Sequence, residues 1–519
     1  MAKKRQKNVL LIITDQQRAS EVFADENDGR LNLPAMRRLR RHGISFTNNT
    51  CNTCMCTPSR TTLFTGRYPA EHGATQTLTY GGVFSPSQPT LDPSKPNMAR
   101  MFSSAGYDVQ YRGKWHISKS ADQPDIPDAL SSADVSLFGF KGWIGPDAGE
   151  DADPLHFGGG WPNQDERYVQ EAIDYISAKQ DSDDDTPFFM VLSLVNPHDV
   201  LAYPNSVDYG YVEENWTGRK LSLPPTVDED LRTNHKPSAQ WQLAQTMNVS
   251  LGALPSDEDK LNYLNFYGYL CEKVDGQINQ VLDLFFDGDV PNDLFRDTVI
   301  IRTSDHGELG MAHGGLRQKA FNAYEETMRV PMIWSNPEWF EKPVVSDALM
   351  SLIDVMPTMA NAVLDLPMKT QIALDMTGVD MSPTFKHPNR DVQDEVLFTY
   401  DDIRASSSSR QNVVYAPDRI RCLRTKRWKY AEYFSADSSY APQYEFYDLD
   451  YDCGGKGLEY QNLYYDHAGY PHWEEAKRAL ADLQEKLPKV MAEKLTKYPL
   501  NPADPISPTV AKAIERALQ

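Results

Sequence analysis

The sequence predicts an α/β layered protein: one large, mostly parallel β-sheet between helices, and a small antiparallel sheet toward the carboxyl end. Three patterns carry that prediction. Apolar runs without polar alternation recur at Val9–Ile13, Phe188–Val195 and Thr298–Ile301, as expected of strands covered on both faces. Stretches of helical periodicity lie between them, the alternation of a layered α/β fold. After about Pro388 the chain changes to short β-like runs separated by polar turns.

Taken in order, Val9-Leu10-Leu11-Ile12-Ile13 forms the first strand and runs into Thr14-Asp15-Gln16. Pro34 to Arg41 reads as a short helix that buries Met36 and Leu39. Asn163 is placed to cap a helix reaching about Lys179, with Val169, Ile173 and Ile176 on one face. An acidic break from Asp181 to Asp185 leads into the strand Phe188–Val195. Ser256 to Asp259 resembles a capping box with Asp in the Glu position and opens a long helix to about Phe286. Thr298–Ile301 ends at Ser304-Asp305-His306-Gly307. Asp15, His198 and Asp305 thus fall just beyond strand carboxyl ends, where parallel sheets gather functional residues. Residues from about Ala202 to Pro255, rich in Pro, Asn and acidic groups, read as an excursion and a candidate lid. Val396–Tyr400, Val413–Tyr415, Arg427–Phe434 and Tyr444–Leu449 make the small sheet. The expected division is 1–389, 390–472 and a helical tail over 473–519, a candidate arm for a homodimer.

Composition sets the electrostatic problem. The 519 residues carry a formal net charge of -21, which argues against nonspecific nucleic-acid binding because a polyanion would be repelled. An anionic substrate therefore needs a small, specific, locally positive pocket. The amino terminus is basic, but Val9–Ile13 is too short for a secretory apolar region, and no run approaches a membrane span. A cytoplasmic location is the expectation. Three of the six cysteines crowd into Cys51, Cys54 and Cys56, and Cys271, Cys422 and Cys453 are scattered, unlike a secreted disulfide scaffold.

Cys56-Thr57-Pro58-Ser59-Arg60, followed by Leu63-Phe64-Thr65-Gly66-Arg67, is the most specific stretch. The Cys54-to-Arg60 spacing also fits a tyrosine-phosphatase loop. Such a loop aims successive backbone N–H groups at phosphate, whereas Pro58 removes one and no Gly is present. Metal-binding or buried thiols are the other alternative. The whole pattern from Cys56 to Arg67 resembles the segment at which type I sulfatases, members of the alkaline phosphatase superfamily, convert a cysteine to formylglycine. The resemblance implies an alkaline-phosphatase-like sandwich and a formylglycine-generating enzyme as maturation partner. It also implies a hydrated aldehyde at Cys56 as nucleophile, a sulfo-enzyme intermediate, and an Arg60 that holds the diol by charge-assisted hydrogen bonds.

Further motifs extend the resemblance. Asp15-Gln16 and Asp305-His306 close two strands and resemble the pairs that, with the residue at Cys56, bind one divalent cation. Sulfatases usually carry Asp-Asp and Asp-Asn there, and the present pairs are similar to those of phosphonate monoester hydrolases. Nitrogen in the donor set moves preference from calcium toward manganese or another transition ion. A strand-end Asp capping a helix is the plain alternative for either pair alone. Gly113-Lys114-Trp115-His116 resembles the family's Gly-Lys-Trp-His, implying that Lys114 binds sulfate and His116 takes the proton that triggers its release. Asn196-Pro197-His198-Asp199 implies a leaving-group acid or ligand at His198, and Lys319 falls where the family places a second lysine. Surface solvation and structural hydrogen bonding are the alternatives for a lone Lys or His. Sulfate ester hydrolysis ranks first. Phosphonate monoester or phosphodiester hydrolysis comes second, and a non-catalytic anion-binding protein is the third reading.

Overall fold

A computed structural model describes residues 6–20, 29–81, 85–149, 153–219, 221–367, 374–405, 413–415, 417–436, 438–451 and 458–495. Cys453 and the tail beyond residue 495 lie outside the described residues. The main sheet comprises β1 (Asn8–Asp15), β2 (Gly43–Thr50), β3 (Asp108–Gly113), β4 (Phe188–Pro197), β5 (Thr298–Ser304), β6 (Met332–Ser335) and β7 (Val344–Ser351). Their order is β3-β4-β1-β5-β6-β2-β7, and β6 alone runs against its neighbours.

Burial on both faces explains the unbroken apolar runs. Val9, Leu11 and Ile13 of β1 feed one core, and Leu10 and Ile12 feed the other. Phe189 and Val191 against Met190 and Leu192 repeat the alternation in β4, as do Val299 and Ile301 against Ile300 in β5. One layer holds α1 (Pro34–Arg41), α3 (Gln164–Gln180) and the long α5 (Asp257–Leu282). The opposite layer holds α2 (Cys56–Thr65).

The expected helices form, with one local difference. At α5 the Ser256 hydroxyl accepts from the Asp259 N–H at 3.2 Å and the Asp259 carboxylate accepts from the Ser256 N–H at 3.0 Å, completing the capping box. At α3, Asn163 occupies the cap position at φ 42° and its side chain makes no cap bond. Asn163 itself is left-handed, whereas a capping residue is extended, and the amide makes no bond to the first turn.

A four-stranded antiparallel sheet follows: β8 (Val396–Tyr400), β9 (Arg419–Arg424), β10 (Trp428–Phe434) and β11 (Gln443–Asp448). Val413–Tyr415 is not among its strands. β9 takes that place, with charged residues at alternate positions hiding its β character in the sequence. One face, with Leu397, Leu423, Tyr430 and Phe446, is covered by Leu483, Leu487 and Met491 of α6 (Trp473–Lys494). The other face, with Phe398, Ile420, Cys422 and Tyr433, joins the main core. The stretch from Ala202 to Pro255 contains α4 (Ser238–Ser250) and packs into this junction. Trp216 lies 4.6 Å from the Phe266 ring, and Lys236 Nζ donates to the Tyr447 hydroxyl at 2.9 Å.

A buried ionic network ties the sheets together. Glu325 receives Arg424 at 2.7 Å and Lys429 at 3.0 Å, and Lys429 also meets Glu459 at 2.5 Å. Burial opposes the Glu325 charge, but Arg424 and Lys429 outweigh it and hold its carboxyl well below the usual range. Its contribution is therefore present above the unfolded pKa and lost as pH falls through the folded one. Glu325→Gln strands the buried Arg424 and leaves Lys429 to Glu459 alone, and chemical denaturation should register a loss of about 3–5 kcal/mol. A loss below about 1 kcal/mol would show that the pairs only offset their own desolvation.

Nearby, His313 Nδ1 lies 2.8 Å from Glu229 and Nε2 lies 3.4 Å from Glu326. Burial disfavours the imidazolium, but Glu326 and Glu229 outweigh it and raise His313 to about 9. This contribution is complete below the unfolded value near 6.5 and is lost as pH rises through 9. Stability should fall by up to about 3 kcal/mol across that window. His313→Gln should flatten the slope, and an unchanged slope in that variant would refute the assignment.

Candidate active site

The carboxyl ends of β1, β2, β3, β4 and β5 open on one edge of the sheet, and each delivers a polar side chain to it. Asp15 ends β1, Lys114 follows β3, His198 follows β4, and Asp305-His306 follow β5. β2 leads through a short turn to Cys56, the first residue of α2. A helix amino terminus favours negative charge, so α2 adds its dipole to the side-chain cations. Gly66 in a left-handed turn at φ 64° stops α2 after ten residues.

The nucleus is a pair of buried carboxylates gripped by cations. Arg60 Nη2 donates to Asp15 at 3.1 Å and Nε donates to Asp305 at 2.9 Å. Its Nη1 donates to the Ser193 hydroxyl at 2.7 Å and the Lys114 carbonyl at 3.3 Å. Arg60 thus aligns the two carboxylates rather than aiming its whole guanidinium at Cys56. Lys114 Nζ lies 2.5 Å from Asp15 and also donates to the Gly149 carbonyl. Burial works against ionising Asp15, but Lys114, His198, Arg60 and His306 hold its carboxyl well below the ordinary value. Burial and the Asp15 charge push Asp305 the other way, upward.

His306 supplies the test for a metal. Its Nδ1 lies 3.0 Å from the Gly307 carbonyl, which can only accept, so the proton sits on Nδ1 and Nε2 keeps its lone pair. Burial holds the ring below its ordinary value, hence neutral. That lone pair faces Asp15 at 3.5 Å, Asp305 at 3.7 Å and the Cys56 sulfur at 3.2 Å. The ligand atoms of all four residues lie within 4.8 Å of one another. The His306 lone pair and the two carboxylates are acceptors converging in a dry site and repel unless a cation lies among them, so the residues fit a divalent metal. Gln16 is held beside them: its backbone N–H donates to Asp305 at 3.1 Å, and its side-chain carbonyl accepts from Lys319 at 2.6 Å. A second lone pair on that oxygen is open to a cation.

The Cys56 thiol is buried, and desolvation together with Asp15 pushes its pKa up to about 11. The Cys54 thiol, the nucleophile of the phosphatase-like alternative, is also buried and donates to the Lys319 carbonyl at 2.9 Å; desolvation pushes its pKa far up, so it stays protonated and a weak nucleophile at neutral pH. His116 lies on the loop after β3. Its Nε2 is 2.9 Å from the Leu78 carbonyl, so Nε2 carries the proton, while Nδ1 is buried without a hydrogen-bond partner. Burial, then Lys114, hold this ring well below its ordinary value. His198 is likewise held neutral by burial and by Lys114 and Lys319.

The structure therefore brings Asp15, Cys56, Arg60, Lys114, Asp305 and His306 into direct contact and joins Gln16 and Lys319 beside them. His198 and His116 interact with the group through charge. Sequence reading missed Ser193, Leu78, Asp147 and Gly149. Ser193 had a signal, as the one polar residue inside the run Phe188–Val195. Leu78 and Gly149 act through backbone carbonyls, which no residue letter displays. Replacing a ligand should cost more than the 10–100-fold typical of outer-shell partners, so Asp305→Asn should lower turnover by more than about 100-fold. Elemental analysis should show the loss of one divalent equivalent. Full metal content in that variant would remove Asp305 from the ligand set.

Comparison with known proteins places the chain in a family. Residues 7–365 match the sulfatase family, and residues 313–486 match the N-sulphoglucosamine sulphohydrolase carboxyl-terminal family. An ulvan-active sulfatase of Formosa agariphila is 23% identical over 436 residues, covering 82% of this chain and 72% of the relative. A structure solved in complex with its substrate D-glucosamine-2-N,6-O-disulfate superposes with a TM-score of 0.70 at 17% identity, covering 96% of this chain and 99% of the other. A phosphonate monoester hydrolase of Silicibacter pomeroyi gives 0.64 at 20% identity, covering 93% and 96%.

Proposed function

Because this chain belongs to the sulfatase family and is a sulfuric ester hydrolase of the alkaline phosphatase superfamily, we propose that it works through a formylglycine made from Cys56. Beside it would lie one divalent cation held by Asp15, Asp305, His306 and the Gln16 carbonyl. The observation that carries this reading is the His306 Nε2 lone pair facing two carboxylates and the Cys56 sulfur. A bound cation would supply Lewis acidity toward a sulfate oxygen and lower the proton affinity of the attacking hydroxyl. The hydrated aldehyde would supply one hydroxyl to attack sulfur and a second whose deprotonation expels sulfate.

The side chains divide the remaining work. Arg60 keeps both carboxylates in register. Asp305, with its raised proton affinity, takes the proton of the attacking hydroxyl. Lys114 and Lys319 hold sulfate oxygens, and with Arg60 they leave the pocket net positive against Asp15 and Asp305 on an otherwise acidic protein. His198, neutral in this field, offers its ring N–H as a hydrogen bond to the departing oxygen, and His116 accepts the second hydroxyl's proton at Nδ1. Residues Cys56 to Arg60 are buried in α2, so a formylglycine-generating enzyme must reach them before the fold closes. Among the described residues no helix is long and apolar enough to cross a membrane.

The imidazole and amide donors favour manganese over calcium. They also favour, as a second reading, hydrolysis of phosphonate monoesters or phosphodiesters, because such a site mainly recognises a tetrahedral anion. The name of the Formosa agariphila relative directs the first substrate panel to sulfated sugars alongside a generic aryl sulfate. Mass spectrometry of the peptide containing Cys56 from active enzyme should show sulfur exchanged for aldehyde oxygen. Free thiol alone in fully active protein would sink the mechanism. On fully modified, metal-loaded enzyme, kcat/KM for the aryl sulfate should exceed that for the matched phenylphosphonate monoester. A ratio well below one would move the chain to the second reading.

A further inference from the structure

The loop that carries Lys114 and His116 is gripped by a segment with no assigned role. Asp147 is a buried carboxylate that spans two consecutive backbone N–H groups. Oδ1 accepts from Trp115 at 2.6 Å and Oδ2 accepts from His116 at 2.7 Å. Two residues on, the Gly149 carbonyl accepts from Lys114 Nζ. Three consecutive residues of one strand-end loop are thus held from one side by two residues of another, Asp147 and Gly149.

The grip has a visible consequence for the backbone. His116 lies at φ 50°, in the left-handed region that non-glycine residues seldom occupy. Held there, its ring reaches the Leu78 carbonyl with Nε2 and leaves Nδ1 unpaired in the buried interior. Gly149 is required by close approach. It lies at φ 76°, and a Cβ there would stand 2.8 Å from Val195 Cγ1 and 3.1 Å from Lys114 Nζ.

We infer that Asp147 is a positioning residue for sulfate release, acting through the His116 backbone, and that Gly149 sets the reach of Lys114 from the same segment. The inference rests on the role proposed above for His116. The carboxylate suits the task because it offers two acceptors to two adjacent donors. An amide offers one acceptor and turns its NH2 against the second N–H.

A double-mutant cycle tests it. Asp147→Asn should lower kcat on an aryl sulfate by about 10- to 100-fold, the scale of a small misplacement of a catalytic group, and lower KM with it, so that kcat/KM stays within about threefold. Sulfated enzyme should accumulate after mixing with substrate, as in His116→Ala, because breakdown is the slowed step. Loosening the loop also lets water reach the His116 ring and raises its pKa, so the acid limb of kcat should move to higher pH. Combined with His116→Ala, Asp147→Asn should cost less than about threefold more, since the group it positions is already gone. Gly149→Ala should instead raise KM by displacing Lys114. Where the Asn variant does not fold, Asp147→Ser, which brings no amide N–H, is measured in the same way.

Two results overturn the inference: a folded Asp147 variant with kcat within threefold of the parent, or losses that multiply in full with His116→Ala. If His116→Ala itself leaves release unaffected, the proposed role of His116 fails, and that outcome is distinct from a failure of Asp147.

Discussion

Everything at the site depends on keeping two like charges in a dry interior. Asp15 and Asp305 end adjacent parallel strands, so the sheet itself forces their carboxylates together. Arg60 bridges them and Lys114 grips the nearer one. Without those partners neither carboxylate would stay ionised at such burial. The cations do not exhaust the demand, because the His306 lone pair still faces both acids. That residual demand distinguishes the cluster from a closed ion-pair network and suits it to a divalent cation.

The second cluster of acids, around Glu325 and His313, resolves the same problem differently. Its carboxylates meet Arg424, Lys429, Lys236 and a charged imidazole, and it joins the main sheet, the excursion and the carboxyl-terminal sheet. Lys429 already lies 2.5 Å from Glu459, so the charges there close on protein groups. One histidine is neutral and turned to accept, the other is charged and turned to donate. The difference arises from what each Nδ1 meets: a carbonyl at His306 and a carboxylate at His313.

Much of the fold was legible because it obeys local rules. Continuous apolar runs marked β1, β4 and β5, Pro34–Arg41 matched α1, and Ser256 with Asp259 marked the start of α5. The failures are local as well. Asn163 fits the composition of a cap yet sits in a left-handed conformation from which its side chain makes no cap bond. β9 escaped because Arg419 and Arg421 occupy alternate positions and a third arginine, Arg424, lies among the residues of the opposite face, where Glu325 pairs with it.

The sequence by itself determined the chemistry available: the Cys56 to Arg67 pattern, the Asp-Gln and Asp-His pairs at strand ends, and the Lys-Trp-His segment. Spacing along the chain encodes which residues leave a strand together. Only the tertiary structure decided which atoms face one another. Arg60 bridges the two carboxylates, and the proton on each histidine is set by Leu78, Gly307 or Glu229, residues remote in sequence or acting through the backbone. Asp147 works through main-chain N–H groups, which every residue possesses. Hydrogen bonds to the backbone carry no residue-type pattern, so they become readable only once the strands have brought the loops together.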